Sequence, residues 1–168
     1  MLGKRSDRGA KIYQAEMADR HVEIVTLAAC PTAVSRGVAK SWEEFASRWK
    51  PMLDGVWAFL RQNDLRTDGH NIMVYRNNVP NLAFEVGVQV ARTFEPAGVI
   101  VPSSLPRGLA AHTIHRGNYA GLGEAHDAIA QWCRTNGHTP SGTRYEVYGD
   151  WDEDPAKMQT DVYWLLEN

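Results

Sequence analysis

The sequence predicts an α+β fold made of two strand–helix–strand–strand units related as a pseudo-twofold tandem repeat. Three observations predict it. Strand-like and helix-like apolar patterns follow one another in the same order in both parts of the chain. Landmark residues fall at matching places: Arg36-Gly37 with Arg116-Gly117, Phe59-Leu60 with Trp132-Cys133, and Val74-Tyr75 with Val147-Tyr148. Each part alone has too few elements to cover both sides of its strands, so the two should pack as one unit.

The elements follow in order. Residues 1–20 carry Lys4, Arg5, Arg8, Lys11 and Arg20 and almost no large apolar side chains. Such a segment cannot bury enough surface to offset its ordering entropy, so it reads as a flexible basic tail, with a short helix near Ile12–Met17. Half one spans residues 21–92. His21–Val34 is rich in Val, Ile, Leu and Thr and reads as strand. Ser41 with Glu44 three residues on spells a capping box. Trp42, Phe45, Trp49, Met52, Leu53, Val56 and Leu60 then recur at helical spacing, up to a stop at Asn63–Asp64. Pro51 interrupts that pattern and predicts a kink or break. Asn71–Arg76 and Leu82–Val90 alternate as strands around an Asn77–Asn78 turn. Residues 93–107 form the linker, with an extended Gly98–Val101 that joins the sheet. Half two spans residues 108–166. Gly108–His115 reads as strand and Gly121–Thr135 as helix, with Leu122, Ala125, Ile129, Trp132 and Cys133 on one face. Asn136–Gly137 stops that helix. Arg144–Tyr148 and Thr160–Leu166 are the closing strands, joined by the acidic loop Gly149–Gln159.

Composition narrows the function classes. The chain has 168 residues, 43% of them hydrophobic, and a net charge of −2. That is enough apolar content for a core and no global basic field for nucleic acid. No apolar run approaches the length that spans a bilayer, and no charged-then-apolar leader opens the chain. Cys30 and Cys133 stand in no paired motif and read as reduced thiols, so the expected location is the cytoplasm.

Strand alternation picks out candidate site residues. Ile72 and Val74 match Tyr145 and Val147, the more apolar set, which should face the helices. Met73 and Tyr75 match Glu146 and Tyr148 and should face the other side. In the last strands Phe84, Val86 and Val88 match Thr160, Val162 and Trp164 as the helix-facing row. That leaves Glu85, Asp161 and Tyr163 beside Glu146. Trp57 lies off the main helix stripe and is placed at the cleft. A carboxylate held among aromatic rings loses solvation, which raises its pKa. Ionised, it would pair with a cation whose charge also sits on ring faces. Protonated, it would donate a hydrogen bond, and at an intermediate pKa it would activate water. The residues alone leave these roles open, and a solvent-facing Glu–Tyr pair is the structural alternative.

The stretch from His115 to Gly137, the strand Arg144-Tyr-Glu-Val-Tyr148 and the closing Thr160-Asp-Val-Tyr-Trp164 resemble the second-half signature of GyrI-like effector-binding domains. The resemblance covers roughly residues 21–166. It implies antiparallel sheets forming a central cleft with helices on the other face. It also implies a ligand-binding glutamate in the Glu-x-Tyr strand, here Glu146, and a rim tyrosine before the second helix, here Tyr119. Such domains occur alone or fused to DNA-binding domains of multidrug-responsive regulators, and some stand-alone members resemble hydrolases of cyclopropane-bearing natural products. A helix-turn-helix module is not expected beside these residues, so the resemblance implies the sensor without the transcription half.

The expected function is a stand-alone small-molecule binding or sequestering protein for hydrophobic, drug-like and cationic ligands. The expected ligand-binding set is Glu146, Tyr148, Tyr163, Tyr75, Met73, Tyr119 and Trp57. The alternatives are a hydrolase of strained electrophiles in which Glu146 activates water, and a protein-interaction inhibitor using the acidic loop. No cofactor, metal, membrane or direct nucleic-acid partner is expected, and the chain is expected to be a monomer or homodimer. His112 and His115 point to opposite faces of a strand and cannot share zinc. Asp150, Asp152 and Asp154 begin like a calcium loop, but Pro155 stands where that loop requires Gly. Gly121-Leu-Gly123 lacks the third glycine of a dinucleotide fingerprint.

Overall fold

The computed structural model describes residues 20–65 and 69–168. The expected tail and its short helix therefore fall almost wholly outside the described residues. Eight strands form one antiparallel sheet: β1 (Glu23–Leu27), β2 (Cys30–Ala39), β3 (Asn71–Tyr75), β4 (Leu82–Gln89), β5 (Ile100–Leu105), β6 (Gly108–Arg116), β7 (Pro140–Tyr148) and β8 (Gln159–Leu166). Among the described residues, two α-helices complete the fold, α1 (Trp42–Gln62) and α2 (Leu122–Asn136). The sheet order is β1-β6-β8-β7-β3-β4-β2-β5. Read outward from the β7–β3 seam, the order is β8, β6, β1 on one side and β4, β2, β5 on the other. This is the strand–helix–strand–strand repeat, with one edge strand added to each unit.

The stretch 21–34, expected as one strand, is two. β1 pairs with β6 in half two, while β2 pairs with β4 and β5 in half one. Only Ala28 and Ala29 link them, so the sheet must curl to bring its halves together. Residues from both edges accordingly meet in one apolar cluster: Val25 and Leu27 of β1, Val101 and Leu105 of β5. The linker contributes β5, longer than the extended Gly98–Val101 expected.

α1 begins as the sequence requires. The Ser41 hydroxyl accepts from the Glu44 N–H at 3.1 Å, and the Glu44 carboxylate accepts from the Lys40 N–H at 2.8 Å. Pro51 does not break it; the helix runs through to Gln62. Phe45, Trp49 and Met52 before the proline, and Val56 and Leu60 after it, pack on the same sheet. Pro51 itself is exposed, so the carbonyl it leaves unpaired lies on the solvent side. α2 ends at Gly137, whose φ of 71° is the left-handed geometry that glycine adopts without strain. Among the described residues, no helix is long and apolar enough to cross a membrane.

Candidate functional site

β3 and β7 meet at the seam between the halves, with Met73 opposite Glu146 and Tyr75 opposite Arg144. α1 packs over β2 and β4, and α2 over β6 and β8. The strands at the seam lie between the two helices, and there a cavity of about 650 Å³ opens. Trp42, Phe45, Tyr75, His126, Arg144, Glu146 and Trp164 line it.

Strand alternation therefore groups Met73, Tyr75, Glu146 and Tyr148 on one face, and α1 and α2 lie over that same face. Met73, Tyr75 and Tyr148 pack with Phe45, Trp49 and Met52 of α1. Ile72 and Val74, expected against the helices, turn to the opposite face with Tyr145, Tyr163 and Leu165. The physical reason is that both faces of β3 are buried, so its apolar residues do not mark which face the helices cover.

Glu146 is 3% exposed and both of its oxygens are engaged. Oε2 accepts from the Tyr75 hydroxyl at 3.2 Å and from the Tyr148 hydroxyl in a short hydrogen bond. Burial, and then the neighbouring Glu146 charge, push both phenols well above their ordinary pKa, so both keep the proton they donate. Oε1 lies 2.7 Å from Nε2 of His126.

The state of His126 follows from its other nitrogen. Nδ1 lies 2.9 Å from the indole nitrogen of Trp164. An indole N–H only donates, so Nδ1 must accept. The imidazole proton then sits on Nε2 and points at Glu146. His126 is thereby fixed as a neutral donor. All three groups that hold the Glu146 carboxylate are neutral.

Arg144 lies two residues before Glu146 on the same face of β7. Its guanidinium carbon is 5.2 Å from the Tyr75 ring centre and 5.8 Å from those of Trp42 and Trp164. Its hydrogen bonds go to the carbonyl oxygens of Asn77 at 3.2 Å and Gly142 at 3.5 Å. Burial pulls its pKa down, against the attraction of Tyr75 and Glu146.

The other expected site residues fall elsewhere. Tyr163 is on the opposite face, stacked between Tyr145 at 4.8 Å and His112 at 4.6 Å. Tyr119 is exposed and meets the edge of Tyr148 at 5.3 Å, away from the cavity lining. Trp57 donates to the Asn71 side chain at 2.8 Å and packs in the core beneath α1. Sequence reasoning missed His126, Trp164, Arg144, Trp42 and Phe45. A signal for His126 was present: it is a polar residue on the buried stripe of Leu122, Ala125 and Ile129, and such a residue must find a partner.

A larger and more open depression of about 800 Å³ lies beside Arg36, Arg48, Arg76 and Glu85. Its carboxylate is already saturated. Glu85 accepts from Arg36 at 2.9 Å, Arg76 at 2.7 Å and Ser103 at 3.0 Å.

No protein-family model and no curated protein matches the chain. Solved structures do. The EcmrR C-terminal domain is 19% identical with a TM-score of 0.73, over 89% of this chain and 99% of that one. SAV2435 bound to tetraphenylphosphonium is 10% identical with a TM-score of 0.66, over 88% of this chain and 94% of that one. A hydrolase from Listeria innocua is 11% identical with a TM-score of 0.56, over 94% and 98% respectively. At these identities the likeness is one of fold.

Proposed function

We propose that this chain, which has the GyrI-like fold, binds aromatic small molecules with delocalised positive charge in the cavity between α1 and α2. One observation carries the reading: Glu146 is a buried carboxylate held only by neutral donors, beneath the rings of Trp42, Tyr75 and Trp164. Hydrogen bonds fix the carboxylate without cancelling its charge. A soft cation can spread its charge over ring faces and still feel Glu146. The SAV2435 complex supports this class of ligand, because tetraphenylphosphonium is such a cation.

Tetraphenylphosphonium titrated into the protein, followed by tryptophan fluorescence and calorimetry, tests the proposal. Binding is expected, and Glu146→Gln should weaken it by about 2–5 kcal/mol. Absence of binding below about 100 μM, or an unchanged affinity in Glu146→Gln, overturns it.

A second reading has an observation of its own. The His126–Glu146 pair, 2.7 Å apart, is a candidate for activating water, and a Listeria innocua hydrolase shares the fold. Against it, both Glu146 oxygens already accept from protein donors, which leaves the carboxylate less free to take a proton from a water. Product gaining one water, in excess of one equivalent per protein, would establish turnover.

A further inference from the structure

The cavity contains a cation of its own. Arg144 places its guanidinium 5.2–5.8 Å from the centres of three aromatic rings, Tyr75, Trp42 and Trp164. These rings line the same cavity as Glu146. Two backbone carbonyls hold the guanidinium, the second at the long distance of 3.5 Å. Its charge rests on ring faces and on the nearby Glu146 rather than in a close ion pair with that carboxylate. Glu85 shows what this sheet does when an arginine is there to neutralise a carboxylate: Arg36 and Arg76 reach it directly at 2.9 and 2.7 Å. Arg144, on the same strand face as Glu146, is instead aimed at the rings.

We infer that Arg144 is a resident cation that occupies the ring faces a cationic ligand would take, and that it sets the charge selectivity of the cavity. The inference rests on the cation-binding reading above. Free, the cavity has its Glu146 charge balanced by Arg144, with the Asp127 carboxylate also at its lining. An incoming cation gains the rings and Glu146 only by displacing the guanidinium outward. A long, half-buried arginine side chain held by two carbonyl contacts is suited to that exchange. A weakly charged or small cation does not repay the displacement, whereas a bulky aromatic one adds apolar contact with Trp42 and Phe45. The guanidinium thus acts as a threshold that excludes ordinary cellular cations.

The experiment titrates tetraphenylphosphonium and the neutral triphenylphosphine oxide into wild type, Arg144→Gln, Arg144→Met and Arg144→Lys. Removal of the charge should tighten tetraphenylphosphonium about tenfold and change the neutral probe less than about twofold. Arg144→Lys keeps a cation and should stay nearer wild type than either neutral variant. Gln and Met carry the same expectation, so one of them suffices if the other does not fold. Wild-type binding with unchanged or weaker affinity in the neutral variants overturns the resident cation and leaves the binding function standing. An equal gain for both probes also overturns it, because Arg144 would then be acting through bulk alone. Binding by the neutral variants but not by wild type supports the resident cation and removes the proposed function of the native chain. Binding by none of the proteins defeats both.

Discussion

Glu85 and Glu146 are two buried carboxylates of one sheet, on opposite faces, and their surroundings differ in one respect. Glu85 is held by two arginines and a serine. Glu146 is held by two phenols and a neutral imidazole. Burial raises the pKa of Glu85, but the Arg36 and Arg76 hydrogen bonds outweigh it and hold the carboxyl below its ordinary value. Hydrogen bonding is therefore satisfied at both sites, but only Glu85 is in direct ion pairs; Arg144, the cation nearest Glu146, acts on it without a direct bond. A buried carboxylate on its own does not mark a binding site; the proposed site differs in having a cation that is not bonded to its carboxylate.

The largest effect should come from removing the cations at each site. The double variant Arg36→Met, Arg76→Met leaves Glu85 buried with no opposite charge and should cost about 3–5 kcal/mol in urea unfolding at neutral pH. Arg144→Met in the same assay should cost less, because Arg144 makes no direct ion pair with Glu146 and its partners are ring faces and carbonyls. The pH dependence follows from the direction of the Glu85 shift. Its folded pKa is lowered, so its stabilisation is present above the ordinary carboxylate value of about 4.3 and is lost as pH falls through the folded value. The gap between wild type and the double variant should narrow in that acid range. Equal costs for the two replacements would erase the contrast between the sites.

The contrast was only partly legible in the sequence. The repeat could be read because each half carries its own periodicities and its own turn residues, down to the Ser41 cap and the Gly137 stop. Glu146 could be read because Met73, Tyr75, Glu146 and Tyr148 alternate onto one face. The side that the helices cover could not be read from β3, since Asn71–Tyr75 is apolar on both faces. That ambiguity moved Tyr163 into the expected site and kept Trp164 out of it. The split of residues 21–34 was hidden for a related reason. β1 crosses to the other half, and only tertiary pairing with β6 reveals this. Pro51 does not end the helix because tertiary packing on both sides of it outweighs a local helix preference.

Trp164 offers a way to sharpen the contrast from the side of Glu146. Its indole N–H keeps Nδ1 of His126 an acceptor and the imidazole neutral. Trp164→Phe retains an aromatic face and removes that donor. Nδ1 then loses its partner, and the ring is no longer held in the orientation that points Nε2 at Glu146. The variant should lose about 1 kcal/mol in urea unfolding. An unchanged unfolding midpoint would show that the indole does not hold His126 in place.

The smallest effect belongs to a third carboxylate cluster, on the Glu85 face, where the cation is a histidine. His112 lies 2.7 Å from Asp161 through Nε2 and 3.3 Å from Glu23 through Nδ1. The Asp161 hydrogen bond raises its pKa, against the effect of burial and with help from Glu23. Both ring nitrogens face acceptors, which is the arrangement of a protonated imidazole and the opposite of His126. A raised folded pKa means the stabilisation is fully present below about 6.5, the ordinary histidine value, and is lost as pH rises through the folded value. His112→Gln should therefore lower the melting temperature most in mildly acidic buffer and progressively less above neutral pH. The magnitude should stay under about 1 kcal/mol, because Glu23 is half exposed and Asp161 partly so. A melting-temperature difference that is constant between about pH 5.5 and about pH 8.5 would mean that His112 contributes by stacking on Tyr163 and not by charge.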